Sequence, residues 1–329
     1  MKVPYTIPSM DEVRAIPWNG YTVASTFSGC GGSSLGYRMA GFRVLWASEF
    51  IPAAAECYRA NMCAYTMLDT RDIRSVSAED ILSATGLQAG QLDILDGSPP
   101  CAAFSTAGKR DKSWGKVKKY SDSTQRVDDL FFEYARILEG VKPKTFVAEN
   151  VRGLVIGRAK GYFLAILKRL KECGYRVECR VLNAKYLGVP QSRERTIFIG
   201  VREDIPARPT YPSPRTTLYT VADACPLITR FELSAGFGYA KIVRADSTQY
   251  HTIGASPSSG NGRATHVFEG DMRRLPTIPE VRALCSFPYD FILPGTYAQQ
   301  YERLGRAVPP LMMKAIAETV RDKILCVIR

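Results

Sequence analysis

Apolar and polar positions change period in a regular order through the first two thirds of the chain. Residues 21–27 read as a strand that breaks into Ser28-Gly29-Cys30-Gly31-Gly32-Ser33-Ser34-Leu35-Gly36 and a short helix ending near Gly41. Residues 43–48 predict a second strand, closed by Glu49. A helix over 51–62 and a short strand over 66–68 follow, and then the apolar run Leu92, Ile94, Leu95, which stops at Pro99 and Pro100. Helical spacing returns at 127–138 and 162–173, and strands at 144–148, 176–182 and 196–201. Strand and helix in alternation predict an α/β fold with a doubly wound, mostly parallel sheet. Beyond Arg202 the pattern changes: residues 205–272 are richer in Pro, Gly, Ser and Thr and lack long helical periodicity, and helices resume at 278–284 and 311–325. The expected organisation is a main domain over 1–202, a second, smaller domain over 203–272 and a segment over 273–329 that returns to the first. An irregular insertion is the competing reading of the middle part. Residues 1–20 carry prolines and charges without periodicity and predict an irregular lead-in.

Composition narrows the partners. At 329 residues the chain can bury a full core. A net charge of +12 and a pI near 9.3 call for a polyanion, nucleic acid first and an anionic membrane second. The start of the chain has no signal-peptide pattern, and no apolar run approaches the about 20 residues of a membrane span, so a cytoplasmic protein with no membrane association is expected. Nine scattered cysteines without a Cys-x-x-Cys pair, and two histidines, argue against a metal and against a disulfide framework. A monomer is the expectation.

Candidate chemistry gathers at the predicted strand ends. Pro99 and Pro100 lack the backbone donor that a sheet ladder needs, so Cys101 should stand on a stiff loop at the carboxyl edge of the sheet, where open α/β sheets bind ligands. Taken singly, any of nine thiols reads as a bystander. A strand that feeds a glycine turn into a helix is a nucleotide-cofactor pattern, though a plain turn fits as well and the spacing differs from that of dinucleotide enzymes. Glu49, about 20 residues after Gly29, stands where such folds hold a ribose. Behind Cys101, residues 105–126 carry Lys109, Arg110, Lys112, Lys116, Lys118 and Lys119 around Trp114. This stretch is either a solvated charge run or a lid that closes on phosphates. Glu149 ends the 144–148 strand on the same expected rim as Cys101.

Phe27-Ser28-Gly29-Cys30-Gly31-Gly32, Glu49, Asp72-Ile73, Gly97-Ser98-Pro99-Pro100-Cys101, Glu149-Asn150-Val151, Gln191-Ser192-Arg193-Glu194-Arg195, Arg274-Leu275-Pro276-Thr277 and Gly305-Arg306-Ala307-Val308-Pro309-Pro310 occur in one order. Together they resemble the cytosine-5 DNA methyltransferase family over nearly the whole chain. The resemblance implies S-adenosylmethionine as cofactor, double-stranded DNA as partner and transfer of a methyl group to C5 of a cytosine flipped out of the duplex. Cytosine C5 is a poor nucleophile and becomes enamine-like once a thiolate adds at C6, the part implied for Cys101. Glu149 matches the glutamate at N3 and the exocyclic amine, Arg195 the arginine at O2, and Arg193 the one beside the cysteine and the backbone; an ordinary ion pair is the plainer reading of Glu149 and Arg195. Phe27, Gly29, Gly31 and Gly32, with Ile73 and Pro99, would line the cofactor, Glu49 would take the ribose hydroxyls and Asp72 the adenine amine. Lys109, Lys116, Lys118 and Lys119 would meet phosphates. Residues 203–272 would read a short site, with Asn261 and Arg263 as candidates for the base edges.

Four positions depart from the family pattern. Ala102 replaces a usual glutamine, Arg71 a common glycine, Cys285 a frequent glutamine and Arg306 a neutral asparagine near the cofactor. Arg306 has a bland reading, in which it turns to phosphate or pairs with Glu302 or another acid. In the sharper one it grips a donor whose transferable carbon bears a carboxylate, carboxy-S-adenosylmethionine, making the chain a cytosine-5 carboxymethyltransferase. A tRNA cytosine-5 methyltransferase and a catalytically silent DNA-binding relative also compete with the leading expectation. The presence of Cys101, Glu149 and Arg195 together argues against the silent relative, and the Pro-Pro-Cys motif against a nicotinamide dehydrogenase.

Overall fold

The computed structural model describes residues 2–100, 118–120, 123–125, 130–155, 160–234, 240–256 and 266–328. The lead-in holds a helix, α1 (Met10–Ala15), against expectation. Ser9 Oγ accepts from the Glu12 N–H, and the Glu12 carboxylate takes the Ser9 N–H at 2.7 Å. This reciprocal cap supports a helix too short to reveal itself by periodicity.

Strand and helix then alternate: β1 (Thr22–Thr26), α2 (Gly32–Met39), β2 (Arg43–Ser48), α3 (Pro52–Met62), β3 (Met67–Asp69), α4 (Ala78–Thr85) and β4 (Ile94–Gly97). A small antiparallel pair, β5 (Lys118–Tyr120) and β6 (Ser123–Gln125), precedes α5 (Leu130–Val141), β7 (Thr145–Val151), α6 (Lys160–Glu172), β8 (Tyr175–Asn183), β9 (Gln191–Ser192) and β10 (Glu194–Arg202). The central sheet runs β3-β2-β1-β4-β7-β10-β8. Its first five strands are parallel, and β10 lies antiparallel to both β7 and β8. The mostly parallel, doubly wound sheet expected from the alternation is therefore present. Its middle strands are buried on both faces and read as continuous apolar runs, as parallel strands do: Val23, Ala24, Ile94, Leu95, Phe146 and Val147 are all fully buried. On one face Val23, Ile94 and Val147 pack with Tyr37 of α2; on the other, Ala24, Leu95 and Phe146 pack with Tyr134 and Ile137 of α5.

The remaining elements are α7 (Val221–Ala224), β11 (Arg230–Ser234), β12 (Ala240–Arg244), β13 (Tyr250–His251), β14 (Val267–Glu269), β15 (Met272–Arg274), α8 (Ile278–Leu284), α9 (Tyr297–Arg306) and α10 (Pro310–Val320). α10 crosses back onto the central sheet, where Met312, Ile316 and Val320 join the face covered by α2. A second, antiparallel sheet has the order β12-β11-β14-β15, and β13 pairs with β9 of the first part of the chain. Phe231, Tyr250, Ile253 and Val267 of this region share one apolar cluster with Leu35, Tyr58 and Phe287. Gly305 in α9 lies so close to the neighbouring backbone that an added Cβ would stand 1.8 Å from the Gly254 carbonyl oxygen. Among the described residues no helix is long and apolar enough to cross a membrane, and no group of His, Cys, Asp and Glu could hold a metal ion.

Candidate active site

Three strand ends meet at the carboxyl rim of the central sheet. β4 finishes in Asp96 and Gly97, and a Cβ at Gly97 would lie 2.4 Å from Thr26 Oγ1 and 2.6 Å from the Tyr134 ring, so only glycine lets the strand leave the sheet there. The chain then runs through Ser98 to Pro99, whose carbonyl accepts the Asn150 side-chain amide at 3.0 Å. Asn150 is buried at the end of β7 and so ties that strand to the loop leading to Cys101.

Glu149 precedes Asn150, and its Oε1 lies 2.7 Å from Arg195 Nε. The sheet register explains the pair: Ile197 sits opposite Glu149 and Arg195 opposite Val151, so the two side chains are diagonal neighbours on one face of an antiparallel ladder. Arg195 also donates to the Glu194 carbonyl at 2.7 Å. Burial lowers its affinity for the proton, and Glu149 pulls the other way.

Arg193 is fully buried, donating to the Ile253 carbonyl at 2.8 Å and the Gly305 carbonyl at 2.9 Å. Burial, with Arg195 nearby, brings its pKa down to about 9. The neighbouring Gln191 accepts the Ile253 N–H at 3.1 Å and donates to the Leu284 carbonyl at 3.2 Å. This segment thus fastens the residues before 257 and those around α8 and α9 to the rim.

The glycine turn follows β1. Phe27, Gly29 and Gly31 all take positive φ, at 53°, 57° and 98°. The Gly29 N–H donates to Glu49 Oε2 and the Ile51 N–H to Oε1, each at 2.7 Å, which sets the Glu49 carboxylate against the turn. Burial pushes this carboxyl above its ordinary range; its two backbone donors and the charges of Arg303 and Arg306 oppose the rise. A Cβ at Gly29 would meet nothing within 4 Å, whereas at Gly32 it would stand 2.3 Å from the Val308 carbonyl oxygen. The turn is open on the Gly29 side and closed by residues 307–308 on the other. An open turn with a buried acid beside it fits a nucleoside-bearing cofactor, the ribose toward Glu49.

Other expected cofactor residues are more locally engaged. Asp72 accepts the Arg74 N–H at 3.0 Å and pairs with the Arg74 guanidinium at 3.0 Å, capping a short turn in which Ile73 is buried. Arg71 pairs with Asp69 at 2.7 Å. Arg306 Nε lies 2.8 Å from Glu302 Oε1, one of the pairings expected for it. Lys118 and Lys119 lie on β5. Cys101, Lys109, Lys116, Asn261 and Arg263 lie outside the described residues. Periodicity and motif spacing do not single out Asn150, Gln191 or Asp96 for the parts they play; for Asp96 the signal was a carboxyl interrupting an apolar run.

Comparison with known proteins agrees with this fold. The C-5 cytosine-specific DNA methylase family matches residues 21–231 and 217–322. The Type II methyltransferase M1.HphI of Haemophilus parahaemolyticus is 32% identical over 337 residues, covering 91% of this chain and 86% of its own. The Type II methyltransferase M.SsoII of Shigella sonnei is 30% identical over 325 residues, covering 91% and 80%. Among solved structures, an E. coli prophage protein described as a DNA modification methyltransferase superposes with a TM-score of 0.70 at 19% identity, over 92% of this chain and 99% of that one. At that identity the likeness is one of fold.

Proposed function

The chain belongs to the C-5 cytosine-specific DNA methylase family, and from that premise we propose that it modifies C5 of a cytosine in duplex DNA by covalent catalysis from Cys101. The observation that carries the reading is the buried Glu149–Arg195 pair, bound through Asn150 to the loop that leads to the cysteine. The Cys101 thiolate adds at C6, and the charge so released at N3 is neutralised by a proton shared with the Glu149 carboxyl while Arg195 holds O2. C5 then has the electron pair to take the transferred carbon. Loss of the C5 proton and expulsion of Cys101 restore the aromatic ring. A base inside a duplex hides C5 and C6, so the cytosine must leave the stack. The basic residues 105–126 supply charge for the phosphates around it. The segment 203–272, which contains most of the second sheet, is the part proposed to read the site.

S-adenosylmethionine would be held at the turn by Phe27, Gly29, Gly31 and Gly32, with Glu49 for the ribose hydroxyls, Asp72 for the adenine amine, and Ile73 and Pro99 in the lining. When bound it would supply an electrophilic methyl group, the sulfonium S–CH3 bond breaking as the C5–carbon bond forms and S-adenosylhomocysteine leaving as the neutral thioether. Bisulfite sequencing of DNA from cells expressing the chain tests the reading: modified cytosines should cluster in one short sequence. Unmodified DNA together with modified tRNA would move the substrate to RNA.

A second reading concerns the donor. Arg306 pairs with Glu302, and among the influences on the Glu49 carboxyl its charge is the smallest, after burial, two backbone donors and Arg303. A donor whose transferable carbon carries a carboxylate, carboxy-S-adenosylmethionine, would offer that cation a planar partner, and the product would be 5-carboxymethylcytosine.

A further inference from the structure

Asp96 interrupts the apolar run of β4 with a carboxyl that is only 1% exposed, and none of the steps above uses it. Its Oδ2 accepts from Ser25 Oγ at the end of β1 and from Ser33 Oγ in the first turn of α2, each at 2.8 Å. Ser25 is itself held from the glycine turn: the Ser28 hydroxyl lies 2.9 Å from its carbonyl and 3.1 Å from its Oγ. Thr26 Oγ1 donates to the Asp96 carbonyl at 3.1 Å, so the backbone is fastened as well as the side chain. Tyr37 of α2, Tyr58 of α3, Tyr134 of α5 and Glu149 of β7 are the other titratable groups facing this carboxyl.

Burying a carboxyl is costly, and a valine or leucine would extend the β4 surface without that cost. What the carboxyl joins gives it a use. On one side is the turn that opens α2, where the donor is proposed to bind; on the other is the strand whose next four residues lead to Cys101. We propose that Asp96 is a positioning residue of the transfer reaction, a clasp that holds the donor turn and the strand delivering the nucleophile in one register through Ser25 and Ser33. This rests on the donor site proposed above.

The test compares the native protein with Ser33→Ala, Asp96→Ala and Asp96→Asn. Calorimetric binding of S-adenosylhomocysteine, which needs no turnover, is read beside methyl transfer to duplex DNA. Ser33→Ala is expected to weaken the analogue about tenfold, the loss of a hydrogen bond to a carboxyl, and to raise the donor KM equally. Its kcat and DNA affinity should stay within about threefold. Asp96→Ala should lose at least as much, and Asp96→Asn, whose amide oxygen still accepts from the serines, should recover to within about threefold of native. Native-like analogue binding by Ser33→Ala overturns the clasp, even if Asp96→Ala fails to fold. A parallel fall of donor affinity, kcat and DNA affinity in Ser33→Ala also overturns it. A native protein that binds the analogue but leaves cytosine unmodified sinks the substrate reading instead, while the binding arms still decide the clasp.

Discussion

Glu149 and Arg195 form a pair whose Oε1–Nε separation is 2.7 Å and whose side chains are 11% and 13% exposed, so each is the other's main compensation for leaving water. Removing one partner strands the other, at about 3–5 kcal/mol. Glu149→Ala should therefore unfold at clearly lower urea, whereas Glu149→Leu combined with Arg195→Met should regain most of that loss while losing transfer. Urea melts of the three proteins check this. A single-variant cost below about 1 kcal/mol would mean the pair is effectively solvated.

Cys101→Ala should abolish transfer and keep DNA affinity within about an order of magnitude, because the thiol supplies chemistry and phosphate contacts supply binding. DNA carrying 5-fluorocytosine should trap the native protein covalently, since fluorine cannot leave as a proton does. A fully active Cys101→Ala protein would remove the covalent mechanism.

Replacing Lys116, Lys118 and Lys119 by alanine should weaken binding on every DNA sequence. The log-log salt dependence should flatten by about 0.9 for each phosphate left without its lysine. Fluorescence anisotropy across a salt series measures the slope, and an unchanged slope makes these residues a solvated run.

For the donor, both cofactors are offered in competition to the native protein and to Arg306→Asn, and the digested DNA is analysed by mass spectrometry. Two unit charges about 4 Å apart interact by about 4 kcal/mol at an effective dielectric near 20, so the choice between a sulfonium with and without a carboxylate should respond to this residue. Exclusive methyl transfer by the native protein, with no change in Arg306→Asn, eliminates the carboxymethyl reading.

Burial pushes the Asp96 carboxyl up to about 7, against the pull of Ser33 and Ser25. An unfolded aspartate titrates near about 3.9, so the folded state holds this proton more tightly. Its contribution to stability is whole below about pH 4 and is lost as the pH rises through about 7. Melting temperatures of the native protein and Asp96→Asn should therefore diverge between about pH 4 and pH 7, the native protein losing stability as the pH rises through that window. Parallel curves would show that the carboxyl does not titrate there.

The strand–helix alternation was legible because parallel strands covered on both faces must be apolar throughout, and the bounds of β2 and α8 match the periodicity residue for residue. The chemistry at strand ends was legible for the complementary reason: Pro99, Glu149 and Arg195 break patterns that their neighbours keep. What escaped depends on partners remote in sequence. α9 was missed although Thr296 and Gln299 cap it, because its apolar stripe faces a cluster assembled from both ends of the chain. Nor does anything local announce that Asn150 reaches Pro99, or that Arg193 spends its guanidinium on two carbonyls from segments 60 and 112 residues away.

Arg193 and the side-chain-free contact of Gly305 with Gly254 fix the chain three residues before position 257, and β14 takes it up again at Val267. With a Cβ at position 305 only 1.8 Å from the Gly254 carbonyl oxygen, any larger residue there would push α9 off the segment that Arg193 holds, so a helix remote in sequence sets how firmly the rim is gripped from behind.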